Sequence, residues 1–362
     1  MTTITLADVA RAVGVSRTTV SNAYNRPDQL SPELRDRILA AAEELGYPGP
    51  DPVARGLRRG RTGMIGLVYD EPLSYLFTDP AILMFVGGMT SVWDDAGVSL
   101  VILPRLRAGD AGASMLANAA VDGFVSICDV AEHADAVYEA DARLTALRNR
   151  GLPFVMVDAG SAAAPCRVGI DDRGASRRAT QHLLDLGHRR LAVVALPREP
   201  GAPGGPIDAV RPGPIRFTVT GARLAGARDA VEAAGLSWDS VPVLAAPHYQ
   251  SPRASGRELG AALLDRAERP TGVVAMSDEL AAGVLDAAAA RGVHVPGQLS
   301  VVGFDGTPTA TSTVPPMTTI QQPLAEKGRA AARLLLEGAP PSVIELPTEL
   351  VVRASTGPAP RA

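Results

Sequence analysis

From Met64 onward, the chain repeats one pattern, a short apolar run followed by a longer amphipathic stretch. The apolar runs include MIGLVYD, VSLVILP, GFVSICD, PFVMVDA, LAVVALP, VVAMSD and LSVVGFD, and helical stretches such as ASRRATQHLLDLGH lie between them. Apolar runs without polar alternation are typical of strands buried on both faces, and a helix after each strand favours parallel pairing. The pattern therefore predicts doubly wound, parallel α/β sheets.

Several of these runs end in Asp, Ser or Pro. Because ligands of doubly wound sheets bind beyond the carboxyl ends of the strands, we expect strand-end residues to line a pocket. The stretch 197–217 follows one strand and contains six prolines and four glycines. We expect it to be a mobile excursion without regular structure on the pocket side, and a candidate lid.

The N-terminal stretch ITLADVARAVGVSRTTVSNAYN predicts two short helices joined by a Gly-Val-Ser turn. Thr5 and Ser16 are the expected N-caps, and Gly14 ends the first helix. A third helix is expected from Ser31-Pro32 to about Leu45, since Pro is favoured in the first turn. These helices form a predicted all-α headpiece.

A helix pair with a tight turn and polar groups outside is typical of a helix-turn-helix. On the second helix, Arg17, Thr18 and Asn22 are candidates for reading guanine, thymine and adenine edges. Candidates for holding DNA phosphates are Ser16, Thr19, Ser21, Asn25 and Ser31. The alternative for this segment alone is an ordinary amphipathic helix pair in an enzyme.

The headpiece is followed by PGPDPVARGLRRGRTG, a linker by composition. A helix over 53–58 would be too short to form alone, but DNA phosphates could balance Arg55 and Arg58. Leu57 has no evident core to enter, whereas apolar side chains can wedge between base steps in the minor groove. We therefore predict a hinge that orders on DNA.

Charge is distributed unevenly along the chain. Residues 1–61 contain nine arginines and seven acids, whereas the whole chain has a net charge of −4. A mildly basic end permits a nucleic-acid contact. The sequence has no GxxxxGK loop, HExxH, GxSxG elbow or dinucleotide fingerprint, so we expect neither an enzyme nor a cofactor or metal.

The cysteines Cys128 and Cys166 lie outside any CxxC pattern, which favours buried thiols in a reducing compartment. There is no signal-like segment and no run of about 18 apolar residues, so no membrane partner is expected. We predict a cytoplasmic protein that is associated with the nucleoid when bound to DNA. A transport-type binding protein would need an export signal.

Over nearly its whole length the chain resembles the LacI/GalR family of bacterial transcriptional regulators. The stretches that carry the resemblance are ITLADVARAVGVSRTTVSNAYN, VARGLRRGRTGMIG, HLLDLGHRRLAVV, ARLAGARDAV, LSVVGFDG, PPMTTIQQP and ELVVRAST. Each is weak alone, but their order and spacing are specific. The resemblance implies a repressor that binds a palindromic operator as a homodimer under the control of a small effector. It also implies a helix-turn-helix headpiece and a two-lobed core like that of periplasmic sugar-binding proteins.

The resemblance also implies a division of the chain. The expected domains are a helix-turn-helix at 1–48, a hinge at 49–61 and an effector-binding and dimerisation core at 62–357. The N-lobe is expected at about 62–160 and 323–341, and the C-lobe at about 161–322 and 342–357. No C-terminal heptad helix follows ELVVRAST, which favours a dimer over a tetramer.

Site residues follow from the resemblance position by position. In the hinge, Ala54 accompanies the wedge residue Leu57. The expected effector-binding residues are Arg223, Ser277, Asp278, Asp305, Asp158 and Gln322. Further candidates, most of them from the first pocket loop DEPLSYLFTDP, are Tyr75, Phe77, Asp79 and Arg105. The alternatives are that Arg223 lies on a helix surface, that Asp305 caps a turn and that Ser277 only caps a helix.

The resemblance favours a sugar or sugar derivative as effector, with a nucleoside or purine second. Both release and tightening of DNA binding by the effector stay open. The sequence departs from the family pattern at GPDP, which is one residue longer than usual, and at Gly306, where a second acid is usual. These departures bear on the hinge register and on the pocket.

Overall fold

The computed structural model describes residues 4–49, 61–69, 73–103, 110–127, 142–158, 164–208, 213, 215–248, 252–338 and 340–361. The chain separates into two compact units, residues 1–63 and residues 64–362.

The first unit is helical. Its helices are α1 (Leu6–Val13), α2 (Arg17–Asn25) and α3 (Pro32–Glu44), with a 3₁₀ turn at Pro27–Gln29. The Thr5 amide donates to the Asp8 carboxylate at 2.9 Å, and the Ser16 hydroxyl accepts from the Thr19 amide at 3.0 Å. These caps satisfy N–H groups that the first helical turn leaves unpaired.

Apolar side chains from all three helices form the core of this unit. The fully buried ones are Val9, Ala10, Val20, Ala23, Ile38 and Ala42. The predicted helix bounds agree with the structure to within one residue. Leu45, the expected last residue of the third helix, is 37% exposed because α3 ends at Glu44 and the chain turns there.

The second unit contains two sheets and the helices that cover them. Its strands are β1 (Met64–Tyr69), β2 (Ser99–Leu103), β3 (Gly123–Ile127), β4 (Phe154–Val157), β5 (Cys166–Ile170), β6 (Leu191–Ala195), β7 (Gly205–Ile207), β8 (Val243–Ala245), β9 (Gly272–Ala275), β10 (Ser300–Asp305), β11 (Thr318–Gln321), β12 (Ser342–Leu346) and β13 (Glu349–Val351). Its helices are α4 (Leu73–Leu76), α5 (Pro80–Ala96), α6 (Asp110–Asn118), α7 (Ala142–Arg150), α8 (Asp172–Asp185), α9 (Thr218–Ala233), α10 (Pro252–Leu264), α11 (Asp278–Ala290), α12 (Pro308–Ser312) and α13 (Leu324–Leu336).

Each sheet forms the centre of one lobe. The first has the order β12-β5-β4-β3-β1-β2, and its pairings are parallel. The second has the order β13-β11-β10-β9-β6-β8-β7, with a parallel centre and antiparallel edge strands β13 and β7. The central strands are buried throughout, as the unbroken apolar runs predicted.

The lobe boundaries differ from those expected. Strands β5 and β12 were assigned to the C-lobe, but β5 pairs with β4 and β12 pairs with β5 in the first sheet. The chain therefore changes lobe after Ile170, again near Gln322 and a third time after Leu346, and the first lobe is about 64–170 and 323–346. The strand that pairs with β12 lies about 175 residues earlier in the chain, so the apolar runs alone did not reveal the sheet to which β12 belongs.

The stretch 197–217 has regular structure where it is described, so the expectation of none is wrong. Gly205–Ile207 pairs antiparallel with β8. The Gly201 amide donates to His248 Nδ1 at 2.9 Å, and the Phe217 amide donates to the Arg198 carbonyl at 3.1 Å. These bonds satisfy backbone groups that a Pro- and Gly-rich composition would otherwise leave to water.

Helices α5 and α13 cross at very short range. A Cβ added at Gly88 would lie 2.0 Å from the Ala325 carbonyl oxygen, and one at Gly328 would lie 2.1 Å from that of Phe85. Only glycine permits this approach. The crossing packs α13, which carries Lys327, against α5, which carries Phe85, and α13 also packs on strands β3, β4 and β5 of the first sheet.

Candidate functional site

A cavity of about 480 Å³ lies between the two lobes of the second unit. Its lining includes residues at or just after the ends of strands in both sheets: Tyr69, Ile127, Asp158, Leu196, Ala246, Met276, Asp305 and Gln322. The expectation that strand-end residues line a pocket is therefore confirmed. The volume falls in the range of small-molecule sites, about 300–1,000 Å³.

Aromatic side chains from both lobes contribute to the cavity wall. Tyr69, Tyr75 and Phe85 come from the first lobe, and Phe217 comes from the second. Phe217 packs against the His248 ring with 5.2 Å between ring centroids. Such flat apolar faces suit a ligand with a flat apolar face of its own.

The second-lobe side of the cavity is built around Arg223 on α9. Its Nε donates to Asp172 Oδ1 at 2.7 Å, and its Nη1 donates to the Met276 carbonyl. Nη1 also lies 3.8 Å from Asp305 Oδ1. Arg223 is 5% exposed, so the alternative that it lies on a helix surface is wrong.

The first-lobe side is built around Lys327 on α13. Its Nζ donates to both carboxylate oxygens of Asp158, at 2.7 and 2.9 Å, and to Gln322 Oε1 at 2.6 Å. Gln322 Nε2 in turn donates to Asp305 Oδ1 at 2.7 Å. Hydrogen bonds and ion pairs thus connect Asp172 in the second lobe to Asp158 in the first.

Burial shifts the pKa values of two acids in this network. It raises the pKa of Asp305 well above the ordinary value, against the opposing effect of the Arg223 charge. Burial also raises the pKa of Asp172, which Arg223 again opposes. The desolvation of a carboxylate disfavours its charged form, so both acids hold protons more strongly than in water. Perturbed acids in a cleft are typical of functional sites.

Two of these acids have unusual backbone conformations. Asp158 has φ 55° and Asp305 has φ 122°, each at the end of its strand. Positive φ is rare outside glycine, and such strain concentrates at functional sites. The next residue, Gly306, replaces the family's usual second acid. A Cβ there would lie 2.8 Å from Gln321 Cα, so a side chain would not fit.

Most of the predicted effector-binding residues line this cavity. They are Arg223, Asp305, Ser277, Asp158, Tyr75, Asp79 and Gln322. Two of them also cap helices: Ser277 accepts from the Leu280 amide at 3.1 Å, and Asp79 accepts from the Ala81 amide at 2.8 Å. Ser277 therefore both caps a helix and lines the cavity.

Asp278 and Phe77 do not line the cavity, which corrects two of the predicted contacts. Asp278 is fully buried, and its carboxylate accepts from the amide and hydroxyl of Thr307 and from the hydroxyl of Thr319. Burial raises its pKa to about 6. Phe77 is 61% exposed. Arg105 lies outside the described residues.

In the helical unit, the predicted base-reading residues Arg17 and Thr18 are exposed on α2. Asn22 is half-buried, and its Nδ2 donates to Gln29 Oε1 at 3.2 Å. Among the predicted phosphate-binding residues, Ser16 and Ser31 cap α2 and α3, while Thr19 contacts the Ser16 hydroxyl and Asn25 donates to Ser21. The predicted hinge residues Ala54, Arg55, Leu57 and Arg58 lie outside the described residues.

Sequence reasoning missed Lys327, Asp172 and Phe304. Lys327 is the sole lysine of the chain, which is a signal that the sequence offered. Phe304 lies under Arg223, with the guanidinium carbon 3.5 Å from the ring centroid. Its position in LSVVGFD next to Asp305 was visible, but its partner is 81 residues away.

Within the described residues, no helix combines the length and apolar character needed to cross a bilayer. The same part of the chain contains no group of three or more His, Cys, Asp or Glu side chains arranged to hold a metal ion.

Comparison with known proteins gives two family matches. Residues 5–49 match the bacterial regulatory proteins of the lacI family, and residues 180–356 match the periplasmic binding protein-like domain. The HTH-type transcriptional regulator Rv3575c of Mycobacterium tuberculosis is 41% identical over 98% of this chain and 97% of its own length.

Solved structures agree. The CelR transcriptional regulator in complex with cellobiose has a TM-score of 0.66 and 31% identity, covering 97% of this chain and 99% of that one. The lac repressor dimer bound to operator and the anti-inducer ONPF has a TM-score of 0.75 and 25% identity, covering 98% and 100%. The predicted helix-turn-helix and two-lobed α/β core are thereby confirmed, and the chain belongs to the LacI family of DNA-binding transcriptional regulators, which are not enzymes.

Proposed function

We propose that this regulator is a repressor that binds a palindromic operator as a homodimer and responds to a small effector in the cavity between its lobes. One observation carries the proposal: a helix-turn-helix with exposed polar side chains and a lobed core with a polar, buried network in its cavity occur in one chain. The similarity to the operator-bound lac repressor dimer supports the DNA and dimer parts.

The proposed base-reading residues are Arg17, Thr18 and Asn22. Gln29 holds one amide proton of Asn22 and so orients the amide plane. The second amide proton and Oδ1 of Asn22 stay available, which is the pair that adenine requires. At the exposed N-terminus of α2, Ser16 and Thr19 lie where helix N–H groups favour phosphate.

We infer that the effector is a sugar or sugar derivative. Arg223 and Asp305 place a donor and acceptors side by side, which suits the adjacent hydroxyls of a sugar. Tyr75 and Phe217 offer faces for the apolar side of a sugar ring. The similarity to CelR, which was solved with cellobiose, supports this class of ligand.

We propose that the segment 49–61 couples the two functions. Leu57, beside Ala54, would wedge into the minor groove, and Arg55 and Arg58 would contact phosphates. An effector changes operator affinity only through its preference for one arrangement of the lobes.

The first experiment selects binding sites from random duplexes and then measures affinity by fluorescence anisotropy at fixed salt. We expect a symmetric site that is preferred over scrambled DNA. Asn22→Ala should relax one base pair in each half-site, and Leu57→Ala should weaken specific more than non-specific binding. Failure to enrich any symmetric site contradicts the operator proposal, and equal losses for Leu57→Ala contradict the wedge.

The second experiment screens sugars, nucleosides and purines by thermal shift, because a ligand of the folded state raises the melting temperature. Ligands that raise it are then added to the operator complex. A change in operator affinity, in either direction, supports the effector proposal. A nucleoside that binds while no sugar does would replace the sugar class.

A further inference from the structure

Both cations that line the cavity, within the described part of the chain, are held by the protein's own carboxylates. Lys327 is 1% exposed, and its three bonds go to Asp158 and Gln322. An ammonium group has three protons, so Lys327 has no donor left for a ligand.

Arg223 is similarly compensated. Asp172 accepts from its Nε at 2.7 Å, and Asp305 lies 3.8 Å from its Nη1. Its remaining N–H groups can donate to a ligand, but its charge is already balanced by two acids. The guanidinium therefore offers hydrogen bonds rather than a net positive site.

Among the described residues, acids outnumber bases at the cavity. Asp79, Asp158 and Asp305 line it, and Asp172 sits behind Arg223. With all four ionised, the network has a net charge of −2. A proton on Asp305 or Asp172 makes it −1, and protons on both make it neutral. The raised pKa values of Asp305 and Asp172 move the network among these charges, none of which is positive.

We propose that this charge arrangement selects an uncharged polyhydroxyl effector and rejects phosphorylated or carboxylate-bearing relatives, and that the Lys327–Asp158 ion pair is the specificity determinant. The inference rests on the proposed function, since it specifies the ligand class of that same cavity. An anion that enters the cavity loses hydration and meets no unpaired cation among the described lining residues, so its desolvation is not compensated.

The carboxylate of Asp158 compensates the positive charge of Lys327. Replacing Asp158 by Asn keeps the shape and removes the charge, and Asn tolerates the positive φ of this position. The substitution leaves Lys327 with neutral acceptors only, the side-chain oxygens of the introduced asparagine and of Gln322, so its positive charge inside the cavity is no longer compensated. Lys327→Met has the reverse effect, because it leaves the Asp158 carboxylate without its cation.

The matched control is Asp265→Asn. Asp265 accepts two hydrogen bonds from Arg291, at 2.9 and 2.7 Å, in an ion pair between the C-terminal ends of α10 and α11. The control also removes one carboxylate from an ion pair, but it lies outside the cavity lining. It should leave ligand selectivity unchanged.

The experiment measures dissociation constants by calorimetry on the full chain. The ligands are neutral hexoses and disaccharides, including cellobiose, each paired with its phosphate ester or uronic acid. Wild type and Asp265→Asn should bind each anion at least tenfold more weakly than its neutral parent. In Asp158→Asn, the ratio of the dissociation constant of the anion to that of its neutral parent should be at least tenfold smaller than in wild type. Equal or tighter binding of an anion by wild type, or an unchanged ratio in Asp158→Asn, overturns the proposal.

A second measurement does not depend on any sugar binding. Inorganic phosphate alone should bind Asp158→Asn at least tenfold more tightly than it binds wild type or Asp265→Asn, and equal affinities overturn the proposal. If no sugar binds but this difference appears, the sugar part of the proposed function fails while the charge selection stands. In Lys327→Met, the affinity for glucosamine relative to that for glucose should be at least tenfold higher than in wild type. An unchanged affinity ratio contradicts the ion pair as the specificity determinant.

Discussion

The guanidinium carbon of Arg223 lies 3.5 Å from the centre of the Phe304 ring, while Asp172 and the Met276 carbonyl accept hydrogen bonds from the same group. Stacking and two directed hydrogen bonds together fix the plane of the guanidinium. A lysine at this position could neither stack in the same way nor donate in a fork.

Arg223→Lys should therefore lower the free energy of unfolding by about 3 kcal/mol, because it disturbs a buried charge pair. It should also abolish the effector response while operator binding is retained. Urea unfolding and anisotropy titrations measure the two effects. Arg253→Lys is the control: Arg253 pairs with Asp286 at the surface, so a loss below about 1 kcal/mol is expected. An intact effector response in Arg223→Lys would remove Arg223 from the site.

Lys327→Met should lower the free energy of unfolding by about 3 kcal/mol, because it leaves Asp158 without its buried partner. The double variant Lys327→Met/Asp158→Asn should recover part of this loss, since it removes the uncompensated charge. A double-mutant cycle by urea unfolding gives the coupling energy. Additive losses would show that the ion pair contributes nothing to folding.

Gly328→Ala should lower the free energy of unfolding by about 1–3 kcal/mol, because its Cβ would overlap the Phe85 carbonyl oxygen and push α13 from α5. Gly87→Ala is a matched control on the same helix pair. A Cβ at Gly87 meets nothing within 4 Å, so this substitution should raise stability by about 0.5–1 kcal/mol. Equal effects of the two substitutions would contradict the close crossing.

Asp278 should give folding a measurable pH dependence. Its pKa is raised by burial to about 6, above the value of about 3.9 in an unfolded chain. Its contribution is therefore fully present below pH 4 and is lost as pH rises through 6, a change of about 3 kcal/mol. Urea unfolding of wild type and Asp278→Asn from pH 4 to 7.5 isolates the effect. The difference between the two curves should change over this window, and a constant difference would contradict the shift.

Local chemistry made part of the structure predictable. Ser16, Gly14 and Ser31-Pro32 act within one helical turn of their own positions, so the helix ends could be located from neighbouring residues alone. The strand-end rule placed Asp158 and Asp305 at a pocket, because parallel strands share the edge where they end. These inferences require no knowledge of distant partners.

Other features depend on partners far along the chain. Lys327 meets Asp158 across 169 residues, so nothing near it indicates an ion pair. Asp278 follows a buried strand and Asp305 ends one, so the two look alike in the sequence. The Asp278 carboxylate accepts hydrogen bonds from Thr307 and Thr319 and therefore has a structural role rather than a place in the cavity lining. The sheet position of β12 likewise depends on long-range pairing, here with β5.

The burial of Lys327 has a practical consequence. As the chain's sole lysine, it is the one side-chain amine that an acylating reagent can modify. An acyl group can form at Lys327 only when Nζ leaves Asp158 and becomes accessible to the reagent. The rate of acylation, measured by mass spectrometry, therefore reports how often the cavity opens. A ligand bound in the cavity should slow this acylation, so one natural residue reports both opening and ligand binding.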